Sequence, residues 1–226
     1  DILFTRREPL GVIACIVPFN FPAALFSHKV APALTMGNAV VVKPSTVNPL
    51  LGIELVRLLL ESGVPGEVAQ VVTGSGSTVG GALSSSSRID AITLTGSPGT
   101  GVKVSESAAQ NVTEVFLELG SNDPFIVLND ADIDRAVEEA VEGRIANAGQ
   151  ICNAPKRFII QKGVKEEFTE KLVAQLKEVK IGDPSDPDND MGCLIDEDAA
   201  NDVAEQVENT ITKGATCIYG GKKFDK

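Results

Sequence analysis

Short apolar runs rich in β-branched residues alternate with stretches of helical length through the first half of this chain. That alternation restricts the fold more than any other feature. Gly-Val-Ile-Ala-Cys-Ile-Val at 11–17 is apolar without interruption, as a strand covered on both faces must be. Further strands are expected at 39–43, 68–72, 89–94 and 113–119. Helices are expected between them: 22–36, 49–62, a short one after the turn Gly74-Ser-Gly-Ser-Thr-Val-Gly80, and one after Ser97. Pro22 and Pro49 suit a first helical turn, where a missing N–H costs nothing. Gly37 and Gly63 suit helix termination. Strands joined by helices run parallel, so the expected fold class is α/β, a doubly wound parallel sheet over 1–119 with a short extended arm at 1–8.

The pattern restarts after Gly120, and a domain boundary is placed at 119–122. A strand is expected at 125–128 and a helix from Asp130 or Asp132 to about Ala146, with Ile133, Val137, Val141 and Ile145 on one face. A strand at 157–161, a helix at 164–179, a polar loop at 182–190, an acidic helix at 196–212 and a last strand at 216–219 complete a second, partial α/β domain at 120–226. Asn147-Ala-Gly-Gln-Ile-Cys-Asn-Ala-Pro-Lys-Arg157 sets one cysteine, Cys152, just past the amphipathic run that ends near Ala148. Gly149 permits a turn there. A free thiol has a pKa of about 8.5, so Cys152 needs a suitable environment to act as a nucleophile near neutral pH.

Charge and cysteine usage exclude several functions. The formal net charge is −11 over 226 residues, and no basic face is available for nucleic acid or an anionic membrane. No apolar run approaches the roughly 20 residues that span a bilayer, and the polar start is unlike a signal peptide. The four cysteines (Cys15, Cys152, Cys193, Cys217) form no CxxC pair and there is one histidine, His28, so no metal site is expected. Cys15 reads as a buried small hydrophobe. A reducing, cytoplasmic setting is expected.

Four stretches, in order, resemble the aldehyde dehydrogenase superfamily: Pro18-Phe-Asn-Phe-Pro22, Lys43-Pro-Ser45, Glu118-Leu-Gly120 and Gly149-Gln-Ile-Cys152. Thirty-four positions separate Glu118 from Cys152, a spacing similar to the family's. The resemblance covers nearly the whole chain. It implies a Rossmann-like cofactor domain followed by part of a catalytic domain, and oxidation of an aldehyde to a carboxylate with NADP or NAD. In that scheme Cys152 is the nucleophile and Glu118 the general base that activates water against the thioester. The side-chain amide of Asn20, with the backbone N–H of Cys152, holds the developing oxyanion. The apolar context Val-Phe-Leu-Glu-Leu-Gly at 115–120 suggests a semi-apolar pocket around Glu118. Lys43, Ser45, Thr46, Ser97 and Leu119 are implied cofactor contacts, with Gly80 shaping the backbone beside them. Asn153-Ala-Pro-Lys-Arg157 is similar to bacterial semialdehyde dehydrogenases. A dimer or tetramer of the full-length protein is implied.

Departures from the family pattern fall at Phe19 for tryptophan, Ser121 for a second glycine, and Thr46 for a glutamate frequent in NAD-preferring members. A Cβ at Ser121 is expected to perturb its loop. The family's usual N-terminal region and its later Glu-x-Phe-Gly-Pro motif are not seen, which implies the middle of a longer protein and little turnover by this portion alone. Two rivals are a CoA-acylating semialdehyde dehydrogenase of the same family and a non-catalytic fragment. A phosphotransferase is a third: Gly96-Ser-Pro-Gly-Thr-Gly101 has P-loop spacing, but Val102 stands where the phosphate lysine belongs and Lys103 is one place late.

Overall fold

The computed structural model describes residues 2–223, which fall into two compact units meeting in sequence at Gly120 and Ser121. The first unit holds β1 (Val12–Ile16), α1 (Pro22–Thr35), β2 (Ala39–Lys43), α2 (Pro49–Glu61), β3 (Ala69–Val71), α3 (Gly81–Ser84), β4 (Ala91–Thr95), α4 (Pro98–Ala109) and β5 (Glu114–Glu118). One wide helical turn, Gly76–Gly80, leads into α3. All strand pairs are parallel, and the order is β3-β2-β1-β4-β5. This is the doubly wound sheet expected from the alternation.

Burial explains why the strands read as they do. Ala14, Cys15, Val42 and Ile92 are wholly inaccessible, since β1, β2 and β4 are covered on both faces. On one face α1 and α2 pack Phe26, Val30, Ala33 and Val56 against Cys15, Val40 and Val42. On the other, Val104 and Ala108 of α4 close over Ala14, Ile92 and Leu94. β5 is an edge strand, so its apolar run remains partly open, with Phe116 and Leu117 exposed. The arm before β1 is exposed and has no regular structure.

The second unit contains β6 (Pro124–Val127), α5 (Ile133–Ile145), β7 (Arg157–Ile160), α6 (Lys165–Glu178) and α7 (Glu197–Thr212). β6 and β7 pair in parallel. Phe168, Val127, Val137 and Ala140 form the core between that ribbon and the helices, and Phe125, Phe158 and Phe168 stack as tilted rings. Asp132 caps α5 by accepting from the N–H of Arg135 at 3.1 Å.

The expected strand at 216–219 is not formed: residues 215–218 have no regular structure, and Ile218 and Tyr219 are exposed. Thr-Cys-Ile-Tyr has strand-forming side chains, but a strand exists only against a neighbour, and none pairs with it among the described residues. The helix expected to reach Ala146 ends at Ile145, and the run does not continue to Ala148: Asn147 and Ala148 adopt left-handed backbone, at φ 49° and 54°. No helix among the described residues is long and apolar enough to cross a membrane.

Candidate active site

In a parallel sheet every strand ends on the same edge. The candidate residues of the first unit therefore gather at the carboxyl ends of neighbouring strands. Asn20 follows β1, Lys43 closes β2, Gly74 to Gly80 follow β3, Ser97 follows β4, and Glu118 closes β5. The strand order reverses between β1 and β4, and ligands bind open α/β sheets in the crevice outside the carboxyl ends at such a switch point.

The loop bearing Asn20 is pinned from α2: the side-chain amide of Asn48 donates to the Phe19 carbonyl at 2.8 Å. Asn20 itself is half-buried. Lys43 is buried, its ammonium donating to the Pro44 carbonyl at 3.0 Å, and burial holds its pKa below the ordinary lysine range. Gly80 has ordinary helical backbone, φ −61°, which corrects the expectation of a backbone-shaping role. Gly80 lies beside Lys43, and a Cβ there would make an ordinary contact at 4.0 Å from the lysine Cδ, so crowding does not require glycine either. The Thr46 hydroxyl donates to the Gly74 carbonyl at 3.2 Å, and the Ser45 hydroxyl accepts from the Val47 N–H at 3.4 Å. Ser97 caps α4, accepting from the Thr100 N–H at 3.2 Å, and is exposed. Leu119 lies against α4, where Gly101 has no Cβ to obstruct it.

Glu118 is exposed rather than set in a semi-apolar pocket. The apolar letters around it belong to the edge strand β5, where only part of the strand surface is covered.

Two residues escaped the sequence reading. Lys29 lies on the sheet-facing side of α1 among Phe26, Val30 and Ala33, is buried, and donates to the Thr93 hydroxyl at 3.1 Å. Burial lowers its pKa, while the nearby Cys15 and Glu118 charges pull the other way. A lysine in the apolar stripe of a helix was the signal available. Thr95, at the end of β4, carries a buried hydroxyl with no hydrogen-bond partner among the described residues. It pairs in register with Glu118, so an orphaned polar group stands at the same sheet edge.

In the second unit Cys152 is an exposed free thiol in the turn after α5. Gly149 begins that turn at φ +74°, and a Cβ there would collide with the Arg144 guanidinium. Arg144 donates to the Gly149 carbonyl at 3.1 Å and the Pro155 carbonyl at 3.2 Å. Lys156 donates to the carbonyls of Cys152 at 2.7 Å, Ala154 at 2.9 Å and Ile151 at 3.4 Å. The Ser121 hydroxyl lies against both the Cys152 carbonyl and the Asp123 carboxylate, so its side chain ties the loop instead of disturbing it. The Ser121 hydroxyl, with help from Lys156, holds the Asp123 carboxyl below its usual range. Cys15 is the opposite kind of thiol: burial pushes its pKa up to about 12.

The chain matches the Aldehyde dehydrogenase family over residues 1–226. It is 41% identical over 223 residues to a glutarate-semialdehyde dehydrogenase of Pseudomonas putida, covering 99% of this chain and 46% of that one. It is also 41% identical over 224 residues to the succinate-semialdehyde dehydrogenase [NADP(+)] GabD of Escherichia coli, again covering 99% and 46%. Among solved structures, the betaine aldehyde dehydrogenase of Staphylococcus aureus in complex with NAD+ superposes with a TM-score of 0.94 at 37% identity, over 97% of this chain and 43% of that one. The chain thus spans a little under half the length of these relatives.

Proposed function

Taking as premise that the chain belongs to the aldehyde dehydrogenase family, we propose that it supplies the nucleophile, the base and the adenosine half of the cofactor site of an NAD(P)-dependent enzyme oxidising a short semialdehyde. The observation that carries this reading is the convergence of Asn20, Lys43, Ser97, Thr95 and Glu118 on the carboxyl edge of one doubly wound sheet. The identities of the two semialdehyde dehydrogenase relatives, and the stretch Asn153 to Arg157, support the substrate class.

The residues present fit a dinucleotide. Lys43 brings a cation to the strand end beside the side-chain-free Gly80, α4 presents its N-terminus behind Ser97, and the orphaned Thr95 hydroxyl lacks a partner at the same edge. Ser45 and Thr46, after β2, and Leu119, after β5, are the further cofactor contacts in this reading. Bound NADP or NAD supplies acceptance of the hydride that turns the Cys152 adduct into a thioester.

The other steps belong to the chain. The Cys152 thiolate forms a C–S bond with the aldehyde carbon, and the carbonyl electron pair moves onto oxygen. Asn20 donates to that oxyanion; loss of one such donor costs about 2.7–4 kcal/mol in a transition state. Once the thioester exists, Glu118 takes a proton from water as its oxygen bonds to the acyl carbon, and the Cys152 thiolate leaves. Action in the cytoplasm as a homo-oligomer completes the reading.

The test measures reduction of NADP and NAD by the protein carrying this chain with succinate, glutarate and betaine aldehydes, with and without CoA. Carboxylate product and reduced cofactor in equal amounts without CoA are expected. Absence of turnover with every aldehyde would overturn the assignment, and an acyl-CoA product would replace water by CoA as the acceptor.

A further inference from the structure

The turn from Gly149 to Pro155 is seven residues long, and five of its carbonyls are taken by just two cations. Arg144 holds the outer pair, Gly149 and Pro155; Lys156 holds Ile151, Cys152 and Ala154. Each cation is itself restrained. Arg144 projects from the last turn of α5 and is partly buried, so that burial depresses its pKa. Lys156 lies 3.5 Å from the Asp123 carboxylate, which in turn meets the Ser121 hydroxyl.

The turn has left-handed residues at Asn147, Ala148 and Gly149, is exposed at Cys152 and Asn153, and has one buried side chain, Ala154, so packing alone does little to define the path at Cys152. Five charge-assisted contacts from two cations supply that definition, because hydrogen bonds to ionised donors are roughly twice as strong as neutral ones. We propose that Arg144 and Lys156 are positioning residues for Cys152: they draw the loop carbonyls to one side and thereby fix the direction in which the thiol is presented. Asp123 and Ser121 hold Lys156 in place. This inference rests on the reading of Cys152 as the nucleophile. Neither cation touches the reacting atoms, so both act through the backbone of the loop. Their contribution is orientation, where a displacement of about 1 Å can cost roughly 10²-fold in rate.

The experiment compares the unaltered chain with Lys156→Met, Lys156→Arg and Arg144→Met. The rate of iodoacetamide alkylation at Cys152, Cys193 and Cys217 is followed by peptide mass spectrometry, and amide hydrogen exchange is read across residues 150–155. Cys193 and Cys217 are exposed and serve as internal controls. Lys156→Met should slow alkylation of Cys152 by about 10-fold, scaled from the orientation cost, leave the two control thiols unchanged, and accelerate exchange in the loop. Lys156→Arg should restore most of the rate, since a guanidinium can also donate to several carbonyls. Arg144→Met should accelerate loop exchange at both ends of the turn; if it fails to fold, the two Lys156 variants still decide the matter. Unchanged exchange and unchanged Cys152 alkylation in Lys156→Met would overturn the proposal. If Cys152 of the unaltered chain reacts no faster than the controls, the nucleophile reading fails instead, and loop exchange alone then confirms or refutes the clamp.

Discussion

Lys29 places an ionisable amine in the core of the first unit, where it donates to the Thr93 hydroxyl. An amine buried on the sheet-facing side of α1 is disfavoured in its charged form, and its pKa falls below the ordinary 10.5. The unfolded chain then binds more protons than the folded one between the lowered pKa and 10.5, so stability rises with pH through that window. Lys29→Met should abolish this rise. The variant should stay within about 1 kcal/mol of the parent near neutral pH, because relief of burial is offset by loss of the Thr93 partner. Urea midpoints measured from neutral pH toward 10.5 test this, and identical pH dependence in both proteins would refute it. Thr46 makes a second prediction at the same scale. A glutamate there would repel a 2′-phosphate by roughly 4 kcal/mol at about 4 Å and an effective dielectric of about 20. The protein should accept NADP at least as well as NAD, and Thr46→Glu should move the kcat/KM ratio toward NAD; an unmoved ratio would contradict the role of position 46. Lys29 was hidden in the sequence because a single lysine in an apolar stripe looks like any solvated lysine until the helix face is known. Arg144 and Lys156 were hidden for another reason: which carbonyls a cation meets depends on the path of a turn that no local pattern specifies.

At the scale of elements, strands in the first unit were legible to within two residues at most ends, because uninterrupted apolar runs such as 11–17 and 39–43 are bounded by proline, glycine or asparagine. Burial was less legible. The run at 115–119 has the letters of a covered strand, yet β5 lies at the sheet edge and leaves Glu118 exposed, since strand order decides coverage and is not written in any one segment. The same lesson applies to 216–219, whose side chains favour a strand that has no neighbour. α4 and β5 also carry a prediction. In Gly101→Ala the new Cβ would stand 2.9 Å from Leu119 Cδ2, so the leucine must turn away. Alanine improves helix propensity by about 1 kcal/mol, which offsets the crowding. Stability should therefore change little while cofactor affinity drops several-fold, as read by thermal melting and by fluorescence titration with NADP. An unaltered dissociation constant would remove Leu119 from the cofactor wall.

At the scale of the molecule, the two units carry different features. The first offers a parallel sheet whose carboxyl edge collects polar groups; the second offers a thiol on a loop held by cations. The fold class was legible because helix and strand periodicities differ, and the candidate thiol was legible from four motifs in order. The restraints around that thiol emerged only from the structure. The central claim is that Cys152 carries the acyl group. The most direct measurement mixes the protein carrying this chain with succinate semialdehyde and NADP, quenches the reaction in acid, and maps the adduct by peptide mass spectrometry. A thioester on Cys152, accumulating to a higher level in Glu118→Gln than in the parent, is the predicted result. Aldehyde oxidation without any adduct on Cys152, or with the acyl group on another residue, would contradict it.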